Sequence, residues 1–340
     1  MEIVDVVLHK VGSKTSNDVC IFSQEVLDLD ESTRELLRVY FSTPFEKTVE
    51  YYNLYHDSDL SLNEVYSYVS NIFDDADSLV GESVNLAKHL YEKSIHPKIK
   101  NGEFYVVHFE DCEIGGQVVE AIGVFKSENK DTFLKVNPND GIFELDAEQG
   151  VNIKKLDKGA IIFNIEREGG YMVAVVDNTN KGIEAHFWVD EFLHVRQRRD
   201  EFYDTTNILT MCKSFVTKEL PEQFEVSRAD QVDMLNRSVA FFKENETFEM
   251  DSFCSEVIEQ PEVINSFSRY KDNYEKELDI EVQDGFAISD SAVKKQARSF
   301  RSVIKLDKNF HIYVHGNREL MEQGEDAGGK FYKVYYKEES

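Results

Sequence analysis

Six cations stand close together near the end of an otherwise acidic chain. Lys294, Lys295, Arg298, Arg301, Lys305 and Lys308 fall within fifteen residues, where Asp307 is the only acid. The whole 340-residue chain carries a formal net charge of -27. Ammonium and guanidinium groups gathered in this way suit an anionic polymer, because each can displace a counterion from a phosphate. The same spacing also suits an ordinary solvated helix face, and both readings stand on the residues alone. A second group, Arg196, Arg198 and Arg199, follows an aromatic segment. It reads either as a further anion contact or as cations favoured by a helix C-terminal dipole.

Other residue patterns carry less chemistry. The chain contains no GxGxxG, no Walker A loop, no HExxH and no GxSxG, so no catalytic residue is assigned. Gly328-Gly-Lys330 lacks the first glycine and the Ser/Thr that a phosphate-binding loop needs. His311 and His315 lie four apart on a strand-like segment, which separates them by roughly 13 Å at about 3.3 Å per residue. One ion cannot bridge that distance, so no metal is expected there. The acids Asp28, Asp30 and Glu31, and Asp74, Asp75 and Asp77, read as helix-end residues rather than cation ligands. No cofactor is expected.

Composition bounds the remainder. A hydrophobic fraction of 41% with 24 Phe and 16 Tyr marks a folded chain long enough for about two domains. No apolar run reaches 18 residues, so no membrane partner is expected, and acids at Glu2 and Asp5 replace the cations of an export signal. Cys20, Cys112, Cys212 and Cys254 are widely spaced with no CxxC pair, which fits a reducing cytoplasm.

The elements that position the cations follow from periodicity. Ile3–Leu8 reads as a strand with Val19–Phe22 as its partner across the Gly12–Asp18 turn. Ser32 to Glu35 and Ser61 to Glu64 have capping-box spacing and are expected to open helices; a further helix is expected over about 78–91. Phe104–Phe109 and Gln117–Phe125 read as a hairpin turning at Ile114-Gly115-Gly116. Strands continue at Thr132–Val136, Ile142–Leu145, Ala160–Ile165 and Tyr171–Val176, too closely spaced for crossover helices and therefore largely antiparallel.

From Glu184 the pattern turns helical for nearly a hundred residues, with one helix ending before Pro221 and others opening at Ser227, Met250 and Pro261. Asp290 is expected to cap the basic helix. One C-terminal sheet is expected from Val303–Leu306, Phe310–Val314 and Phe331–Tyr336. The fold class is thus α+β, with a mixed, largely antiparallel N-terminal sheet and helices, then a helical region and a small C-terminal β-sheet. The expected domains are 1–195 and 196–340.

The opening strand with His9 and Lys10, the run Tyr171–Val176 leading to Ala185-His-Phe-Trp-Val-Asp-Glu-Phe-Leu193, and the segment around Asn207-Ile-Leu-Thr-Met211 form a recognisable set. The paired strands around Phe310–Val314 and Lys330–Tyr335 complete it. With these the chain resembles the bacterial nucleoid-associated proteins of the NdpA type over nearly its whole length. Phe187–Leu193 resembles the aromatic FF-x-D-FL stretch of that family, with Trp188 for one Phe and His194 where a Gly usually follows. The resemblance implies a cytoplasmic protein of the nucleoid that binds DNA and contacts type II topoisomerases; it implies no catalytic residue.

Two functions fit. One is non-specific DNA binding through Lys294–Lys308, helped by Arg196–Arg199. The other is an acidic adaptor that contacts a DNA-handling enzyme such as a type II topoisomerase and reaches the nucleoid indirectly, as the charge of -27 favours. A homodimer is one assembly open to either.

Trp188 and Phe192, four residues apart, share a helix face and are expected to be buried. Trp188→Ala should then lower stability by about 3–5 kcal/mol. Urea unfolding checks this, and a variant that unfolds like its parent would put Trp188 on the surface.

Overall fold

The fold was obtained as a computed structural model, which describes residues 1–114, 116–139, 142–179, 187–278, 280–297, 300, 303–306, 309–314, 320–336 and 338. The chain divides into two compact units, Met1–Arg198 and Arg199–Ser340.

The first unit is built on one antiparallel sheet. Its strands are β1 (Glu2–Val11), β2 (Tyr51–Leu54), β3 (Gly102–Ile114), β4 (Gln117–Ser127), β7 (Lys158–Phe163), β8 (Met172–Asp177) and β9 (Val195–Gln197). They lie in the order β1-β3-β4-β7-β8-β2-β9. Between β4 and β7, β5 (Asp131–Asn139) and β6 (Ile142–Gly150) form a separate two-stranded hairpin. Three helices, α1 (Glu31–Ser42), α2 (Glu64–Asp74) and α3 (Leu79–Lys93), cover the sheet.

The sheet strands read as continuous apolar runs because both faces are buried. Phe104, Val106, Ile122, Val124, Ala160 and Ile162 point to one core, shared with α2, α3 and the π-helical turn Phe187–Leu193. The alternate residues Tyr105, Val107, Ala121, Phe125 and Ile161 point to the other, with Tyr40 and Phe41 of α1. Trp188 and Phe192 are fully buried, with ring centroids 4.8 Å apart, and the Trp188 indole N–H donates to the Gly159 carbonyl at 3.3 Å.

Several turns have physical causes the residue pattern did not display. Asp30, not Ser32, caps α1, since its carboxylate accepts from the Thr33 amide at 2.7 Å and leaves Ser32 inside the helix. Asn63, not Ser61, caps α2. Its Oδ1 accepts from the Tyr66 amide at 2.9 Å while its Nδ2 donates to the carbonyls of Tyr55, Leu193 and His194, satisfying two segments at once. His194 has φ of 50°, a left-handed position that favours glycine, and its carbonyl also accepts from the Tyr55 amide at 2.9 Å. Gly170, at φ 94°, leaves no room for a Cβ, which would meet the Leu54 carbonyl oxygen at 2.0 Å.

The expected pairing of Val19–Phe22 with β1 is reduced to a single bridge between Lys10 and Ile21, because β3 offers β1 a full-length partner. Strands β2 and β9 were not expected; at four and three residues they are too short to show a period, and β9 interrupts the stretch read as helical. The expected helix start at Glu184, and part of the expected turns at Gly115 and at Asp140-Gly141, lie outside the described residues.

At one end of the central strands β4, β7 and β8 is a charged row. Lys126 of β4 stands directly opposite Lys158 of β7, and Lys158 opposite Asp177 of β8. Both lysines are fully buried. Lys158 Nζ donates to both Asp177 carboxylate oxygens at 2.9 Å and to Thr179. Lys126 Nζ donates to the Lys100 carbonyl at 2.8 Å and pairs with Glu128 at 2.8 Å. Desolvation lowers the Lys126 pKa, opposed by Glu128. Asp157 beside them accepts the amides of Glu128 and Asn129 at 2.6 and 2.8 Å.

The second unit contains α4 (Glu201–Ser214), α5 (Leu220–Gln223), α6 (Arg228–Glu244), β10 (Thr247–Glu249), α7 (Met250–Phe253), α8 (Pro261–Leu278), β11 (Gly285–Ala287) and α9 (Asp290–Ala297). Strands β12 (Val303–Leu306), β13 (Phe310–Tyr313), β14 (Met321–Asp326) and β15 (Gly329–Val334) follow. An aromatic core of Phe215, Phe242, Phe248, Phe253 and Phe267 holds the helices together. Ser227 and Asp230 form the expected capping box at α6. Pro221 does not end the helix before it. The chain widens into a π-helical turn, Phe215–Glu219, and Pro221 enters the first turn of α5, where its missing N–H costs nothing.

The single C-terminal sheet is corrected to two hairpins, β12–β13 and β14–β15. Strand β14 shows no apolar period, because it carries Glu322, Glu325 and Asp326.

Two outcomes test these contacts. Asp177→Ala strands the Lys158 ammonium in the core and should cost about 3–5 kcal/mol, whereas Lys158→Met with Asp177→Leu should cost far less. Urea unfolding of both variants measures the difference. His9, buried with Nε2 3.0 Å from Ser83 Oγ and Nδ1 accepting the Ser23 amide at 3.1 Å, has its pKa lowered by burial to about 4. The unfolded chain takes up this proton first, near 6.5. The stability from neutral His9 is therefore complete above pH 6.5 and falls as pH drops toward 4, by up to about 3 kcal/mol. Unfolding at pH 7.5, 5.5 and 4.5 should show a shallower loss in His9→Gln than in the parent.

Candidate nucleic-acid interface

Helix α9 presents the first cations. Ser289, rather than Asp290, occupies its cap position: Ser289 Oγ is 3.4 Å from the Ala292 amide, and Asp290 is already helical. The Ser289 amide donates to Thr205 Oγ1 of α4 at 3.0 Å, which ties the helix start to its support. Ala292 and Val293 are buried, and α9 packs on α4 and α6. That leaves Lys294 and Lys295 exposed in the last turn, where a helix dipole favours positive charge. Lys295 Nζ lies 5.2 Å from the Phe202 ring centroid, a cation–π distance.

The β12–β13 hairpin adds a second surface. Ile304 and Ile312 face one another toward α6, where Ile304 joins Ala229, Val232 and Met321 in a small core. Asn236 of α6 donates to the Val314 carbonyl at 3.2 Å. Side chains alternate across a strand, so the opposite face carries Lys305 directly across from His311, and Val303 across from Tyr313. Lys305, His311 and Tyr313 are exposed, Tyr313 by 63%. The described part of this outer face carries no acid. Helix α6 thus supports both α9 and β12 within one unit. Arg298, Arg301 and Lys308, like His315, lie outside the described residues.

The arginine group divides between the two units. Arg196, in β9, is exposed with its guanidinium 4.1 Å from the Tyr55 ring centroid. Arg198 is held by Glu166, with Nη2 donating to Oε1 at 2.9 Å, and this pairing lowers the Glu166 pKa. Arg199 is exposed and begins the second unit.

Of the six expected cations Lys294, Lys295 and Lys305 lie among the described residues and are exposed. The placing of His311 opposite Lys305, with Tyr313 on the same face, needs the hairpin register. Chemically the surface offers ammonium groups for phosphates and an exposed tyrosine for stacking, with an imidazole beside them. Among the described residues there is no group of three or more His, Cys, Asp or Glu that could hold a metal ion, and no helix long and apolar enough to cross a membrane.

These features define an acidic α+β protein with a local cationic surface. Residues 7–332 match the family model described as nucleoid-associated protein YejK, and the chain belongs to that family. No curated protein matches the chain.

Proposed function

We propose that this protein binds DNA at the nucleoid, in the cytoplasm, through phosphate contacts that do not depend on base sequence. The observation that carries the reading is the pair of exposed cationic surfaces in one unit, Lys294 and Lys295 on α9 and Lys305 on β12, in a family of nucleoid-associated proteins. Arg298, Arg301 and Lys308 belong to the same candidate set, with Arg196 and Arg199 as a second. Arg198 is committed to Glu166 and contributes least. Cations that contact only phosphates fix position without reading bases.

A second reading is favoured by the charge of -27. In it the chain is an adaptor whose acidic surface contacts a DNA-handling enzyme such as a type II topoisomerase.

Salt-dependent DNA binding separates the two. Each engaged cation should contribute about 0.9 to the magnitude of the log–log salt slope. Lys294→Ala with Lys305→Ala should flatten the slope by roughly two units and weaken unrelated sequences equally. Stability should stay within about 0.5 kcal/mol of the parent, since both side chains are exposed. Arg196→Ala with Arg199→Ala serves as the comparison. A parent that fails to bind duplex DNA at about 50 mM salt ends the DNA reading and leaves the adaptor. Binding with an unchanged slope in the Lys294/Lys305 variant moves the contacts elsewhere.

A further inference from the structure

The β5–β6 hairpin stands apart from the seven-stranded sheet and has two chemically different faces. In its register Leu134 lies opposite Ala147, Val136 opposite Leu145, and Pro138 opposite Phe143. Directly opposed residues share a face, so these six form one apolar surface, extended at its base by Thr132 and Gln149. The other face pairs Lys135 with Asp146 and Asn137 with Glu144 at its centre, flanked by exposed Phe133, opposite Glu148, and Ile142. It is internally bonded, with Asn137 Nδ2 donating to Asp146 at 2.9 Å and Lys135 3.6 Å from Glu148.

The apolar surface is open. Leu134 is 66% exposed, Val136 55%, Phe143 72% and Leu145 65%. Over 134–138 and 143–147 apolar and polar residues alternate, the pattern of a strand buried on one side. A lone two-stranded hairpin is at best marginally stable in water. Such a surface calls for a cover.

We propose that the hairpin is a dimerisation arm, and that its apolar face is covered by the same face of a second copy of this chain. Three observations select that occupant. The face carries no charged residue, so it suits a partner surface equally free of charge, which its own copy supplies. Any contact between two chains of net charge -27 must be uncharged at its centre to offset their repulsion. The polar face cannot serve instead, because Glu144, Asp146 and Glu148 of two copies would oppose one another. The four large side chains expose on the order of 500 Å² and Pro138 and Ala147 extend this, close to the roughly 800 Å² per partner of a stable interface. Two identical faces related by a two-fold axis also close the assembly instead of propagating it.

Sedimentation equilibrium of the full chain from about 1 to 100 μM tests this. The parent should sediment as a dimer of twice 39.3 kDa. Leu134→Glu with Leu145→Glu should weaken association by at least about 100-fold, as expected for residues at an interface centre. Val136→Thr with Leu145→Thr keeps strand propensity and should weaken it by about 10-fold, so a folding defect in the glutamate variant does not leave the outcome open. Glu144→Lys, on the polar face, should remain dimeric. A parent that is monomeric at the highest concentration, or a threonine variant as tightly dimeric as the parent, overturns the proposal.

Discussion

The register of β4 against β7 is held by two buried positive charges. Lys126 and Lys158 face each other within the sheet, which would be untenable without Glu128 and Asp177. Taking an ammonium out of water costs several kcal/mol, repaid only where a partner and further hydrogen bonds meet it. Those partners exist at one alignment of β4, β7 and β8. A slip of one residue would separate Lys158 from Asp177 and turn Ile161 and Ile162 to the wrong cores. Register thus settles which residues reach α1 and which reach α2, α3 and Trp188. The row is expensive as stability and effective as a specification of one arrangement.

The far edge of that sheet is secured differently. Strands β2 and β9 are short and contribute few ladder hydrogen bonds, so Asn63 joins them to α2 by donating to three carbonyls. The chain must then leave the Phe187–Leu193 turn sharply, and His194 takes a left-handed backbone conformation to do so. That costs roughly 1–2 kcal/mol for a residue with a Cβ. Its carbonyl receives two donors in return, from Tyr55 and from Asn63. A glycine would adopt the same backbone more easily. The histidine is accommodated because its ring packs edge-on against Tyr55 and His56.

How much of this could be read from residues depends on the range of the interaction responsible. The β3–β4 hairpin, the Ser227–Asp230 capping box and the burial of Trp188 with Phe192 rest on neighbours within a turn or an adjacent strand, and they were legible. The caps at Asp30 and Asn63 were displaced because Ser32 and Ser61 carry the commoner signature. At Asn63 the choice is decided by Leu193 and His194, some 130 residues away. Nothing near Lys126 and Lys158 in the chain marks them as buried, since it takes the β4–β7 and β7–β8 registers to bring Asp177 beside Lys158. The same holds at the candidate interface: Lys294 and Lys295 follow from helical spacing, while His311 and Tyr313 join Lys305 only once β12 and β13 are aligned.

The charge distribution also separates cations already committed from those available. Arg198 and Arg167 are each bound in two places by a carboxylate, Glu166 and Asp74 respectively. Lys294 and Lys305 instead extend from small apolar seats beside Val293 and Ile304 and are exposed, while Lys295 lies over the Phe202 ring. Under the DNA-binding proposal, the acidic remainder has its own effect. A net charge of -27 repels a duplex from most directions, while screening over roughly 8–10 Å limits that repulsion to close approach. In that proposal an encounter led by α9 and the outer face of β12–β13 brings opposite charges together first. The acidity then acts on orientation, and a small cationic face suffices because competing approaches are unfavourable.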